Sequence, residues 1–242
     1  MDKSHLAELI KIEEHYWWHV AKRDLVRMLL EEYCPPPAKI VEGGIGGGFN
    51  LLELKRAGYA VYGLDIYQES IEHCRDLGMD SVAVQDLEKP WQATTKDCDA
   101  VLMLDVVEHC AKPIEVLKNA RDSLKPGGLV MLTLPAYPFL MGPWDVMLGH
   151  HRRYTKAMLE AEAKAAGLKI TWFSHWNSFT LPVAIMVRLL ERVMKIERTA
   201  EFPPVSEFVN NTLIALGSGE RRFMKKVPVP AGVSIVAILK VV

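Results

Sequence analysis

Cysteine is scarce in this sequence. The four that occur in 242 residues, Cys34, Cys74, Cys98 and Cys110, stand far apart without a C-x-x-C pair, which argues against a disulfide framework or a zinc ribbon and fits a reducing, cytosolic setting. An excess of one charge is missing too. Lys and Arg number 29 against 30 Asp and Glu, a formal net charge of -1, so the chain has no global electrostatic footprint for nucleic acid. Long apolar runs are absent: the longest, Thr180 to Val187, carries Pro182 and ends at Arg188, far short of the roughly 20 residues needed to span a bilayer. In MDKSHLAELIKIEEHYWW, charges interrupt every candidate apolar core of a signal peptide, so no secretory leader is read. The expected location is cytoplasmic, with contact at a membrane surface as a variant discussed below.

What is present is a chain that is 50% apolar and 24% charged, with 16 Gly and 14 Pro and no internal repeat. That excludes collagen-like, disordered and low-complexity classes and favours one enlarged α/β domain. An N-terminal segment reads helical to about Tyr33 and is stopped by Cys34-Pro35-Pro36-Pro37. Strand-like runs follow at Ala38 to Glu42, Ala60 to Leu64, Ser81 to Val84, Ala100 to Leu104 and Leu129 to Leu134, alternating with helical patterns, which predicts a mainly parallel sheet covered on both faces. Later come a helix over Lys156 to Ala166 ended by Gly167, a strand over Lys169 to Trp176 and a final β-branched run, Val233 to Val242. The stretch from Asn177 to Gly232 is too long for an ordinary loop and predicts a helical insertion between the last two strands.

The run Lys39-Ile40-Val41-Glu42-Gly43-Gly44-Ile45-Gly46-Gly47-Gly48-Phe49-Asn50 sends a buried strand through a glycine turn into a helix. Glycine without Cβ lets the main chain press against a ligand, and the free N–H groups of a helix start point toward it. A phosphate-binding P-loop would need Lys-Ser/Thr after Gly48, where Phe49-Asn50 stand. The dinucleotide fingerprint would need glycine at position 49, which disfavours NAD. The pattern that fits is E-x-G-x-G-x-G, from Glu42, Gly44, Gly46 and Gly48. Asp65 ends the second strand at a spacing that suits a carboxylate accepting from both hydroxyls of a ribose. Asp86-Leu87 follow strand three and Asp105 follows strand four, and in a parallel sheet all these strand ends line one crevice.

From Lys39 to Leu134, and more loosely to the C-terminus, the chain resembles the class I S-adenosylmethionine-dependent methyltransferases, in particular the small-molecule group called type 11. The resemblance implies a doubly wound seven-stranded sheet of order 3-2-1-4-5-7-6 with a reversed C-terminal strand, S-adenosyl-L-methionine as cofactor and a small-molecule acceptor. It implies that Gly44 and Gly46 face the methionine part of the cofactor and Asp65 the ribose. Asp86 is implied at the adenine amino group, with Leu87 beside the ring and Ile66 packed on it, and Asp105 near the donor's amino-acid end. Lys125-Pro126-Gly127-Gly128 resembles the family's turn before strand five. Two departures stand out: Glu42 replaces the usual Asp, its longer carboxylate still expected to reach toward the donor ammonium, and Gly43 takes a place that is often apolar; both are expected among the cofactor-binding residues.

Methyl transfer from a sulfonium needs alignment and dryness more than a protein nucleophile, and a hydroxyl acceptor gains from a general base, for which His suits neutral pH. His109, His150 and His151 qualify by position. His109 reads equally as a residue packing on the cofactor, and the adjacent pair as loop or capping residues before Thr155, the expected N-cap of the next helix. The run His150-His151-Arg152-Arg153-Tyr154-Thr155 resembles one found at the lip of the acceptor pocket in similar methyltransferases. Arg152 and Arg153 suit a carboxylate or phosphate of the substrate, or equally acids of the fold, and Tyr137 and Tyr154 join them as expected acceptor-side residues. No metal is expected, because adjacent histidines point apart.

The aromatic cluster His15-Tyr16-Trp17-Trp18 with Lys22-Arg23 either staples the first helix to the sheet or closes over the cofactor as a lid. The resemblance to methyltransferases with such a segment near the donor implies the lid, so residues 1–34 are read as a helical lid segment before a cofactor-binding domain over 35–242, of which 177–232 form a cap. In the cap, Leu181, Ile185, Leu189 and Val193 recur at steps of four, and Arg221-Arg222-Phe223-Met224-Lys225-Lys226 follows further on. An apolar face beside basic residues suits a membrane surface, while cover over the acceptor pocket or a homodimer contact is the plainer account. The leading function is O-methylation of an apolar or lipid-like small molecule. The alternatives are a non-catalytic cofactor-binding scaffold and an NAD-dependent reductase or epimerase, the last opposed by Phe49.

Overall fold

Seven strands form one sheet in the order β3-β2-β1-β4-β5-β7-β6 in a computed structural model that describes residues 3–194 and 202–242. The strands are β1 (Lys39–Gly43), β2 (Ala60–Asp65), β3 (Val82–Val84), β4 (Cys98–Leu104), β5 (Leu124–Pro135), β6 (Leu168–Trp176) and β7 (Ser234–Val241). The helices are α1 (Lys3–Ile12), α2 (Trp17–Tyr33), α3 (Phe49–Arg56), α4 (Gln68–Asp76), α5 (Pro113–Ser123), α6 (Pro143–Met147), α7 (Lys156–Ala165), α8 (Leu181–Met194) and α9 (Glu207–Met224). Pairing is parallel from β3 to β5 and antiparallel where β7 lies between β5 and β6. The expected order and the reversed last strand are both present. Residues 1–2 of the lid segment and 195–201 of the insertion lie outside the described residues.

Strand periodicity explains the two-sided core. Val41, Val101, Met103, Val130 and Leu132 point to one face and pack with Val116, Leu117 and Ala120 of α5 and Leu159 and Ala163 of α7. Their neighbours Ile40, Ala100, Leu102, Leu129 and Met131 point to the other and meet Leu25, Val26, Leu29 and Leu30, the apolar stripe of α2. Each such fully buried aliphatic side chain stabilises by about 1.5–3 kcal/mol. Half of the N-terminal segment is therefore structural cover for the sheet.

Two local differences from the sequence reading have simple causes. The N-terminal helix breaks after Ile12, because Arg23 donates its two terminal nitrogens to the carbonyls of Glu13 and Glu14, satisfying acceptors that a continuous helix would bind internally. The turn Lys125 to Gly128 lies inside β5 as a bulge: Cys98 pairs with Leu124 and Ala100 with Leu129, with Gly127 at φ +84°. Thr155 caps α7 as expected, its hydroxyl accepting from Met158 N at 3.2 Å. The insertion contributes α8 and α9, and among the described residues no helix is long and apolar enough to cross a membrane.

Candidate active site

Reversal of strand order between β1 and β4 opens a crevice at the C-terminal strand ends, where ligands of open α/β sheets bind. A cavity of about 950 Å³ occupies it. The glycine turn forms one wall, with Gly44, Gly46 and Gly48 at φ +77°, +56° and +79°. A Cβ on Gly44 would overlap Val106, so the side chain's absence is what lets this turn lie against the loop after β4. Asp65 ties the turn to β2: Oδ2 accepts from Gly46 N at 3.2 Å and Oδ1 from Tyr67 N at 2.9 Å. Glu42 is buried, accepts from Asn50 Nδ2 at 2.9 Å, and is pushed up to about 8 by burial.

Asp105 also reaches the cavity, at φ +58°. It accepts from Thr133 Oγ1 at 2.9 Å and pairs with Lys22 Nζ at 3.0 Å. Burial acts to raise its pKa, but the Lys22 charge and these hydrogen bonds outweigh that and hold the carboxyl below its ordinary value. Asp86, Leu87 and Ile66 line the same half, and Ile66 stays 59% exposed, an apolar side chain offered at the lip. Gly43 does not line the cavity. It sits under Leu87, whose methyl carbons lie 3.1 Å from where a Cβ would be, and so supports the turn from beneath.

The other half is built around a carboxylate with no sequence motif, Asp145 on α6. It is fully buried and gathers Arg153 Nε at 2.8 Å, Arg188 Nη2 at 3.2 Å, His150 Nδ1 at 3.1 Å and Gly142 N at 2.9 Å. Burial opposes ionisation, but His150 and Arg153 prevail and hold the group down to about 2. Arg153 is thereby committed to an acid of the fold. His109 meets His150 edge to face at 4.6 Å between ring centres, and burial lowers it to about 3. Glu108 beside it is fully buried with both carboxylate oxygens unpartnered, and burial followed by the Asp105 charge raises it far above the usual range. Glu108, His109 and His150 each bring one ligand atom within 4.8 Å of the others. This cation-sized grouping escaped the sequence argument, which weighed only His150 with His151. Apolar walls come from Leu140, Trp144, Leu148, Phe179, Val183 and Val187.

Four expected acceptor-side residues lie elsewhere. His151 is exposed, with its amide on Glu108 O at 2.8 Å. Arg152 turns toward Glu162 at 3.9 Å. Tyr154 is buried in the core, and Tyr137 stacks on His175 at 5.3 Å. Adjacent residues in extended chain point to opposite sides, so only one of each pair, His150 and Arg153, faces inward.

The model of the family described as methyltransferase domain matches residues 14–171, more than half of the chain. The chain belongs to this family. Among curated relatives, a ubiquinone biosynthesis O-methyltransferase of Methylococcus capsulatus is 26% identical over 149 residues, covering 54% of this chain and 62% of the relative. One from Roseobacter denitrificans is 34% identical over 102 residues, covering 39% and 41%. The chain thus spans about half the length of the curated relatives it matches. Among solved structures, a chain of the complex between the Haloferax volcanii Trm112 methyltransferase activator and a methyltransferase aligns over 98% of this chain and 94% of its own, at TM-score 0.63 and 18% identity. Magnesium protoporphyrin IX methyltransferase from Synechocystis, solved with bound SAH, aligns over 64% and 76% at TM-score 0.53 and 17% identity.

The fold is therefore that of the class I methyltransferases, whose cofactor is S-adenosyl-L-methionine. The residues present fit that group: a glycine turn without room for Cβ, a strand-end carboxylate beside it and acids that complement a cation. Lys22 and Glu13 of this methyltransferase also line the cavity, which the aromatic-then-basic N-terminal pattern announced only as a segment.

Proposed function

We propose that this methyltransferase O-methylates a small, apolar acceptor inside the cavity. The observation that carries the reading is one continuous cavity joining the glycine turn and Asp65 to a His109–His150 wall set in apolar side chains. The names of the relatives, O-methyltransferases of ubiquinone biosynthesis, favour oxygen as the attacked atom. Bound S-adenosylmethionine supplies an electrophilic methyl carbon on a cationic sulfur leaving group. Gly44, Gly46, Asp65, Asp86, Leu87, Ile66 and Asp105 are the residues proposed to hold it.

His150 is the proposed base. Its Nδ1 is fixed by Asp145, which leaves Nε2 to take the proton of the acceptor's hydroxyl. His109, kept neutral by its burial, packs against that ring and orients it. Helix α1, the turn after it and the start of α2 act as the lid, with Tyr16, Trp17 and Trp18 excluding water. Release of S-adenosylhomocysteine in a screen of phenols, quinols and lipid-linked alcohols tests the reading. His150→Ala is expected to lower turnover about 10²-fold at unchanged S-adenosylhomocysteine affinity. Full turnover in that variant would remove the base assignment.

The outward faces of α8 and α9 favour docking of this enzyme on an anionic membrane surface. Leu189, Val193, Phe208 and Phe223 are 55%, 82%, 81% and 54% exposed, and Arg192, Arg222, Lys225 and Lys226 are exposed among them. The protein is expected to sediment with anionic vesicles at low salt and much less with neutral ones. Recovery in the supernatant with both would end this reading.

A further inference from the structure

The covering segment brings a charge of its own into the donor half. Glu13, in the turn after α1, is 8% exposed, and its Oε2 accepts from Gly47 N at 2.7 Å. A Cβ on Gly47 would collide with that oxygen, and one on Gly46 would stand 3.6 Å from it. Glu13 therefore sits on the glycine turn itself. Its neighbouring cations are committed: Lys22 to Asp105 at 3.0 Å, and Arg23 to Glu53 at 3.2 Å and to the carbonyl of Glu14 at 2.7 Å. Around this half, four acids, Glu13, Glu42, Asp65 and Asp105, thus face two cations, Lys22 and Arg23, and an incoming cation favours the ionised form of the two acids that burial holds up, Glu13 and Glu42.

Donor and product differ by one charge. S-adenosylmethionine carries a sulfonium, S-adenosylhomocysteine a neutral thioether, and their shapes otherwise nearly coincide. We propose that Glu13 is a specificity residue that makes the lid read this charge, fastening it over the cationic donor and loosening it over the neutral product. The inference rests on the donor assignment above. Of the four acids, only Glu13 belongs to the cover, so only there is an electrostatic gain passed directly to lid closure. At an effective dielectric of about 20, a unit charge ~10 Å away is worth more than about tenfold in affinity.

The protonation balance agrees. Burial, with a smaller push from Asp65, lifts Glu13 to about 7 against the pull of Lys22, the Gly47 amide and Arg23. Glu42 on β1 and Cys74 on α4 are the other titratable groups coupled to it, and Cys74 is pushed up to about 12, out of range. An added positive charge favours the carboxylate, so donor affinity should fall as pH drops below about 7.

Calorimetry with S-adenosylmethionine, S-adenosylhomocysteine and sinefungin, an unreactive analogue with an amine near the sulfur position, tests this in wild type and Glu13→Gln. Glutamine keeps an oxygen for the Gly47 amide. The variant should bind both cationic ligands about tenfold more weakly and S-adenosylhomocysteine within about twofold of wild type. It should also lose part of the acid-side fall in donor affinity, the remainder belonging to Glu42. Equal weakening of all three ligands would make Glu13 a plain fastener and overturn the proposal, as would no change. If wild type binds none of the three, the donor assignment itself falls and takes the proposal with it.

Discussion

Asp145→Ala is expected to lower the melting temperature by roughly 6–20 °C, a loss of about 3–5 kcal/mol. The side chain removed is fully buried, and it is paired with Arg153, 12% exposed, while sharing Arg188, 13% exposed, with Glu191. Without it two guanidiniums stay desolvated with fewer acceptors, and a charge stranded in the interior costs far more than a surface pair contributes. Because its carboxyl is held down to about 2 in the fold, against an ordinary value near 4, its contribution is fully present above about pH 4 and lost as pH falls toward 2. Acid titration followed by circular dichroism should therefore show a shallower loss between pH 4 and 2 in Asp145→Asn than in wild type. Melting within about 2 °C of wild type for Asp145→Ala would contradict the hub.

Asp65→Ala should weaken S-adenosylhomocysteine binding by about 10²-fold or more. Charged hydrogen bonds to a ligand contribute about 1.5–3 kcal/mol each, and a ribose offers two hydroxyls to this carboxylate. The same oxygens position Gly46 and Tyr67, so the substitution also unpins the turn. Asp65→Asn, which keeps one acceptor oxygen, should fall between the two. Titration calorimetry and the melting shift on adding ligand measure the effect independently. An affinity equal to wild type in both assays would show that the ribose lies elsewhere.

The gathering of the glycine turn, Asp65, Asp86 and Asp105 at one crevice was legible because it is written in contiguous stretches: a strand, its glycines and the acid ending the next strand each occupy a few residues, and parallel topology brings the ends together. The half of the cavity around Asp145 was not, because its organiser works through distance. Asp145 has meaning only once Arg188, 43 residues away in α8, reaches it. Alternation hid a second layer: sequence proposes His150 and His151, or Arg152 and Arg153, as equals, and only the path of the chain decides which faces inward. Glu108 was within reach, since it precedes His109 in the run after β4, but its unpartnered oxygens are a property of burial and leave no mark in a motif. The break at Glu13 was invisible for a like reason, because the helical pattern on either side continues without proline or glycine.

The contacts of α2 and its lead-in with α9 join segments almost two hundred residues apart: Trp17 N donates to Asn210 Oδ1 at 2.8 Å, Asn210 Nδ2 to the carbonyl of His15 at 3.0 Å, and Arg221 Nη2 to Asp24 at 2.6 Å. A ribosome delivers these partners in reverse order of need. The tryptophans emerge first and must wait, uncovered, while every strand but β7 is made. At roughly 5–20 residues per second that interval lasts on the order of ten seconds or more, a window in which a nascent chain of this design is most open to chaperones.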